Sequence, residues 1–519
     1  MSNQSERTGN ILEKAADVVA DLMQSIFLFL LKPFVPLARR MSDKVKGFLI
    51  SASFFIMMVI IYLEHTNITN LILGALPLPS IIKYVFFDLV CCVLMAVIAV
   101  ASIRGPLQKK RCNAMMTLLW TGMCVFFLVS AIYTSLDWAA ISIIFAFVFP
   151  CVFFIWNNRG DYGTLFSLFT RGVVVFNMIF FVASILLSPI TGSQYRAMFT
   201  NSNSLGQYLS FTMPLFLIQY TLAWKKDEQR TFTPAPEGLH IKHPIMTLNF
   251  VALYLHERSE RVWSLIGLGT AAAFVLFSRS RTAFIAFIVS FALWFVLHFL
   301  VEHGREGLKA VSKMILRRVL PIVLVVVICV PVTFGLVKCG TFAVYAYAAT
   351  NHLLPDEYQY LNPFLNRTKL DDTINDFNDR LDMEGKDADQ VSTHRTTIWN
   401  AFLNRIEPFG HERGKIYVHD YGIAATTHNC IIQILYDSGI FTALFYFAIN
   451  VAAGFRALLY FLRRRKGDPY AMFPVLMMPG FLVTSLLASS YPPFAYGVAL
   501  AYWLVMVPLF EKKIEKLEG

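Results

Sequence analysis

Apolar residues come in runs of about 17–24, the length that crosses a bilayer as helix. Short stretches rich in charge, Pro, Asn or Ser separate them. Runs bounded in this way predict twelve spans, roughly 47–63, 81–101, 114–133, 138–156, 172–190 and 205–223, then 261–278, 282–301, 319–337, 439–462, 471–489 and 493–510. The expected fold class is an all-α polytopic membrane protein with one long, partly helical extracytoplasmic loop, 338–438, between spans nine and ten. An apolar run within 11–40 is interrupted by Lys32, Pro33 and Pro36 and followed by Arg39 and Arg40. It reads as an interfacial amphipathic helix within a cytoplasmic N-terminal segment, 1–46, rather than as a span. It lacks a small-residue cleavage site, so no removable signal peptide is expected. The remaining divisions are spans one to nine at 47–337, spans ten to twelve at 439–510, and a cytoplasmic tail at 511–519.

Composition narrows the class. The chain of 519 residues is 56% hydrophobic and 15% charged, against about 25% charged in soluble domains. That excludes a set of water-soluble domains, and the disordered, collagen-like and disulfide-scaffold classes with them. A net charge of +11 suggests nucleic acid until its placement is followed. With the N-terminus in the cytoplasm, 31 of the 45 lysines and arginines fall on the inner side. Of the outer ones, nine lie in the long loop, and loops that long cross a membrane largely regardless of charge. The eight cysteines show no CxxC pair and no metal-type spacing. Cys339 and Cys430 bracket the long loop and are a candidate pair if it lies outside the cell, although nothing in the sequence fixes their distance.

Three arginines, Arg196, Arg279 and Arg281, occupy short outer loops that otherwise contain no lysine or arginine. Each alone is as well explained by a head group snorkelling to the interface. Together they suggest a ligand. Arg196 precedes Asn201, Ser202, Asn203 and Ser204, good cap residues before span six, and Arg279 and Arg281 alternate with Ser278, Ser280 and Thr282 before span eight. Thr426, Thr427, His428 and Asn429 stand before a short helix leading into span ten. Helix N-termini beside arginine make sites for phosphate or carboxylate. Whether the three converge on one anion is a question of packing.

In the long loop, residues 371–389 hold eight carboxylates. They read as a solvated acidic segment, with a calcium site as the alternative although the spacing is not that of an EF-hand. After it, a helix starting at Thr393 places Trp399, Phe402, Leu403 and Ile406 on one apolar face. Arg395 shares that face and needs a partner, either an anionic ligand or a structural carboxylate. Four histidines follow: His394, His411, His419 and His428. None forms an H-x-x-x-H or H-E-x-x-H pair, which leaves a zinc hydrolase unsupported. His428, at the junction of loop and membrane, is the candidate general base. Its structural alternative is a helix cap or loop-ordering residue.

Four stretches resemble the O-antigen ligase and Wzy-type O-antigen polymerase superfamily of bacterial envelope glycosyltransferases. They are Tyr195 to Asn203, Ser278 to Ala283, Arg395 to Trp399, and His428-Asn429 followed by Gln433, Leu435 and Gly439. Their order and the loop between spans nine and ten fit as well, and the resemblance covers roughly 195–445. It implies transfer of a glycan from an undecaprenyl-diphosphate donor to an acceptor hydroxyl at the outer face of the cytoplasmic (inner) membrane, without a metal or other cofactor; attack on the anomeric carbon opposite the leaving group then predicts inversion. Lipid-linked glycan, a lipid or glycan acceptor and membrane lipids are the implied partners, and nucleic acid is not. Matched motif by motif, Arg196 and Arg281 hold the diphosphate and His428 assists the acceptor. Arg395, Arg279, Asn203 and Asn429 are further candidate substrate-binding residues. Arg279 departs from the usual single arginine of its motif; at i, i+2 the two would diverge by about 200° on a helix, so one of them is expected in the pocket. Ligase and repeat-unit polymerase differ in acceptor alone. Outside the superfamily, a lipid-linked glycan flippase or other twelve-span transporter, or a non-catalytic scaffold, fits the span count. A scaffold leaves the outer arginines and His428 without a role; against a transporter, no second copy of the arginine motifs marks a repeat and the distinctive charges lie at the outer face.

Overall fold

The computed structural model describes residues 2–64, 80–134, 162–190, 194–228, 258–302, 307–351, 369–381, 394–412, 416–418, 422–424, 426–487 and 497–517. Helices dominate. In chain order they begin with α1 (Ser2–Leu31), a 3-10 turn (Lys32–Phe34), α2 (Val35–Arg40), α3 (Asp43–Glu64), α4 (Ser80–Ala101), α5 (Ala114–Thr134), α6 (Tyr162–Leu187), α7 (Ser202–Glu228), α8 (Ser259–Ser278) and α9 (Arg281–Phe295). A π-helical turn (Val296–Glu302) follows, then α10 (Leu308–Thr350), α11 (Leu370–Leu381), α12 (Arg395–Leu403), the hairpin β1 (Ile416–Val418) and β2 (Gly422–Ala424), α13 (Cys430–Arg464), α14 (Phe473–Leu487), α15 (Gly497–Val505) and a 3-10 turn (Val507–Phe510).

Among the described residues, eight helical stretches are long and apolar enough to cross a membrane, and the shorter apolar stretches Leu89–Ala101 and Phe473–Leu487 accompany them. The expected span 138–156 lies outside the described residues. Span five begins ten residues earlier than its apolar run, at Tyr162. Span nine continues well beyond 319–337. α10 has 43 residues, about 65 Å of helix, and Lys338 does not end it, so the first part of the expected loop is helical. Span six is a helix, α7, but is not among the eight. Its flanks are buried within protein, and its polar side chains bond locally, Ser210 to the Gly206 carbonyl and Thr221 to that of Leu217. A helix packed by protein on all sides has less need of a lipid-soluble surface. Ile11–Arg40 is long and apolar enough by the same measure, so length and composition alone do not separate the interfacial reading from a span.

The chain divides into two compact units, Met1–Phe176 with Arg380–Gly519, and Asn177–Asp379. In the first, α5 runs along α13, with Phe126 stacked on Phe441 and Phe445 at 5.0 and 5.4 Å. The tail is clasped by Glu511, buried at 6% exposure, which accepts from Tyr162 Oη at 2.9 Å and pairs with Lys110 at 3.0 Å and Arg464 at 3.3 Å. α1 is bonded over much of its length to the same neighbourhood: Glu13 to Lys512, Asp21 to Lys109, and Gln24 to the Lys110 backbone. Positions 13 and 24 are about 16 Å apart along a helix.

α13 is broken at Gly439, where φ is 81°. A Cβ there would lie 2.1 Å from the Pro408 carbonyl oxygen, so the 408–411 segment crosses the kink only over glycine. In the second unit α8 packs on α7 and α10, and α9 packs on α7. Its core is aromatic, with Phe180, Phe199 and Tyr208 in mutual contact and the Tyr208 hydroxyl donating to Asn177 Oδ1 at 2.7 Å.

Candidate functional site

Within the second unit, the loop carrying Arg196 is pinned to the end of α8. The Tyr195 N–H donates to the Phe277 carbonyl at 3.0 Å, its hydroxyl donates to the Ser184 carbonyl at 2.9 Å, and its ring lies against Phe274. Arg196 therefore projects from a backbone fixed at its neighbour Tyr195 to Phe277, two residues before Arg279. Its own side chain is exposed and donates to the Thr200 carbonyl at 3.4 Å. Asn201 caps α7 through an Oδ1 that accepts from the Ser204 N–H at 2.8 Å, while Asn203 lies exposed in the first turn. Ser280 caps α9 by accepting from the Ala283 N–H. The two capped starts touch. A Cβ on Gly206 would stand 2.5 Å from Ser280 Oγ, and glycine alone allows the approach. Two of the three expected helix N-termini thus converge, and their partial positive charges add to those of the arginines beside them.

The two arginines of the second motif are separated by backbone, not by helical rotation alone. Arg279 is the left-handed residue that ends α8, at φ 53°, and Arg281 is the first residue of α9. Arg279 is buried, with its guanidinium 2.7 Å from the Asp376 carboxylate of α11, whereas Arg281 is half-buried. The acidic segment is accordingly an amphipathic helix over 370–381, with Thr373 and Phe377 buried and Phe377 edge-on to Phe284 of α9 at 5.2 Å. Its remainder lies outside the described residues. Composition obscured this helix, but the i, i+4, i+7, i+11 run of Leu370, Ile374, Phe377 and Leu381 was a readable signal for it. Among the described residues, no group of three or more His, Cys, Asp or Glu is placed to hold a metal.

In the first unit, α12 begins at Arg395 after His394, a left-handed residue at φ 62°; the expected start, Thr393, lies outside the described residues. The inward face differs from the one expected. Ile398 and Phe402 are buried, Trp399 is half-buried, and Leu403 is 39% exposed. The buried residues pack on Ile416, Val418 and Ala424 of the hairpin and on Ile432 and Tyr436 of α13, a tertiary choice that rotates the helix by about one residue. Trp399 then donates its Nε1 hydrogen to the Thr427 carbonyl at 2.7 Å, fixing the residue before His428.

His428 is itself left-handed, at φ 53°. Non-glycine residues held there are uncommon and gather at functional sites. The surrounding bonds impose it. Thr427 Oγ1 donates to the Asn429 carbonyl at 2.7 Å, the Thr427 N–H donates to Gln433 Oε1 at 2.9 Å, and Gln433 donates to Asp437. Asn429, not His428, caps α13, its Oδ1 accepting from the Ile431 and Ile432 N–H groups at 2.9 and 3.1 Å. That gives Asn429 a structural role and removes capping as the explanation of His428. Gln433, part of the motif, was not singled out for this role from sequence. Burial, and then the charge of Arg395, push the His428 imidazole below its ordinary range, so it is neutral and able to take a proton at pH 7. Arg395→Gln should therefore raise the His428 imidazole pKa toward the unperturbed histidine value, as followed by NMR titration, because a positive neighbour is removed. An unmoved pKa would detach the two residues.

Of the other histidines, His411 stacks on Tyr436 and bonds the Arg405 carbonyl, and His419 lies outside the described residues. Cys339 is exposed in the second unit and Cys430 is buried in the first.

The long apolar helices among the described residues define a multi-pass membrane protein, and within the second unit Arg196, Arg279 and Arg281 stand beside two adjoining helix starts. Residues 266–447 match the family model described as O-antigen ligase, which supports the resemblance to the O-antigen ligase and Wzy-type polymerase superfamily. The match includes Arg279, Arg281, Arg395 and His428; Arg196 lies outside it. Taken with the apolar helices, it supports a bacterial inner-membrane protein with an enzymatic role of the ligase and polymerase kind, for which the family implies lipid-linked glycan substrates. A comparison with curated proteins finds no match.

Proposed function

We propose that this chain is an O-antigen ligase-like glycosyltransferase. It moves a glycan from an undecaprenyl-diphosphate donor to an acceptor hydroxyl at the outer face of the membrane. The observation that carries the reading is the packing of the Arg196 loop and the α7 start against the Arg281 turn, through Tyr195 with Phe277 and Gly206 with Ser280. Arg196 and Arg281 hold the diphosphate by forked, charge-assisted hydrogen bonds, with Arg395 as a third cation. As the bond from the anomeric carbon to the diphosphate oxygen breaks, its electron pair goes to that oxygen, where the arginines stabilise it. The acceptor oxygen attacks from the opposite side, its proton passes to His428, and configuration inverts. In this scheme arginines and helix dipoles supply the electrostatic stabilisation that a metal supplies in other transferases. The test is a reconstituted assay with a defined lipid-linked donor, offered either lipid A-core or a second carrier-linked glycan. Transfer to lipid A-core alone makes the chain a ligase, elongation on the carrier makes it a polymerase, and neither with an active donor sinks the reading.

The same proposal places both termini in the cytoplasm; the lysine and arginine distribution and the pairing of Glu13 with Lys512 support it. A cysteine at Asp376 should react with a membrane-impermeant thiol reagent in intact cells, and one at Lys110 should not. The reverse pattern would invert the topology and remove the site from the outer face.

A further inference from the structure

Asp376 belongs to a segment whose acidity looked merely solvated, yet its carboxylate lies 2.7 Å from the guanidinium of Arg279, one residue before the Ser280 cap of α9. The pair is asymmetric. Arg279 is 9% exposed and Asp376 48% exposed, so the cation is built into the turn while the anion reaches it from outside. α11 is held there by a small apolar contact, Phe377 against Phe284, with Thr373 buried beside it. A twelve-residue helix with two buried side chains stands at the low end of local stability, where segments open without the rest of the fold.

We propose that Asp376 is an internal competitor for the anion site and so sets how tightly that site holds a diphosphate. This rests on the reading of Arg196 and Arg281 as diphosphate-binding residues. The carboxylate offers the turn the same chemistry as a phosphate oxygen, a negative oxygen acceptor for a guanidinium fork. While Asp376 sits on Arg279, it cancels part of the positive potential that the turn and the two helix starts project. A diphosphate binding beside it either displaces the carboxylate or binds against its repulsion, and in both cases affinity falls. The consequence for turnover is direct: a site that grips the diphosphate of the donor also grips the undecaprenyl diphosphate left behind, and a built-in competitor eases its release.

The test is equilibrium binding of inorganic pyrophosphate to the full-length protein in nanodiscs, for parent, Asp376→Asn and Arg281→Ala. Asparagine keeps the size and a hydrogen bond but removes the charge. Competition predicts that Asp376→Asn binds pyrophosphate more tightly, by about fivefold, the upper end for the removal of a partly exposed ion pair. A residue that only docked α11 would give unchanged or weaker binding, so the sign of the change separates the two. Unchanged or weaker binding by Asp376→Asn, in a protein whose pyrophosphate affinity falls with Arg281→Ala, overturns the competitor and leaves the diphosphate site standing. Loss of any Arg281 dependence overturns the diphosphate site itself.

Discussion

Replacing His428 by asparagine should slow the chemical step by about 10²–10⁴-fold, the usual contribution of a positioned general base, with donor binding near that of the parent. The substitution suits the local structure. Asparagine is among the few residues that tolerate the left-handed conformation found at 428, at φ 53°. The cap of α13 is made by Asn429, so it survives the change. What the variant lacks is a nitrogen that can accept a proton at neutral pH. Single-turnover rates with defined donor and acceptor measure the effect directly. His394→Asn and His411→Asn should be milder, since His411 is engaged with Tyr436 and the Arg405 carbonyl and His394 opens α12 from an exposed position. Full turnover by His428→Asn would reduce the residue to a part of the loop and leave catalysis to diphosphate stabilisation and positioning.

Lysine at Arg281 should lower kcat by about 10²–10³, the scale for losing one preorganised donor to a developing oxyanion. Charge is retained, but the planar fork that meets two phosphate oxygens is not. Arg281 begins α9 and is half-buried, whereas Arg279 is buried against Asp376, and the proposal takes Arg281 as the ligand-binding member of the pair on that difference in burial. Arg279→Lys should accordingly have the smaller effect on rate. Normal expression and insertion of each variant is the control. If Arg279→Lys collapsed activity while Arg281→Lys kept it, the motif would be in the other register and Asp376 would sit on the functional arginine.

Much of the architecture was legible because lipid imposes a simple rule on sequence: each crossing needs a long apolar run, and each run advertises itself. The candidate site residues stood out for a related reason. Arginines in short outer loops, capped helix starts and a histidine at a loop–membrane junction are expensive or unusual where they occur, and such places are where function concentrates. The helices of α3, α5, α8 and α9 begin or end within a few residues of the runs that predicted them.

Other features depended on contacts between residues far apart in the chain. Whether helix starts converge is invisible in either motif, because it rests on Gly206 letting Ser280 approach and on Tyr195 bonding Phe277. The inward face of α12 turned on what the hairpin and α13 offered as a packing surface, which moved burial from Leu403 to Ile398. The acidic segment became a docked helix because Phe377 found Phe284 and Asp376 found Arg279. Hydrophobic runs, charge placement and motif order are properties of the chain itself, and local physical chemistry suffices to read them. Register of a helix face, the partner of a charge and the left-handed strain at His428 are settled by packing and hydrogen bonds across long sequence distances, and those exist only once the tertiary structure has formed.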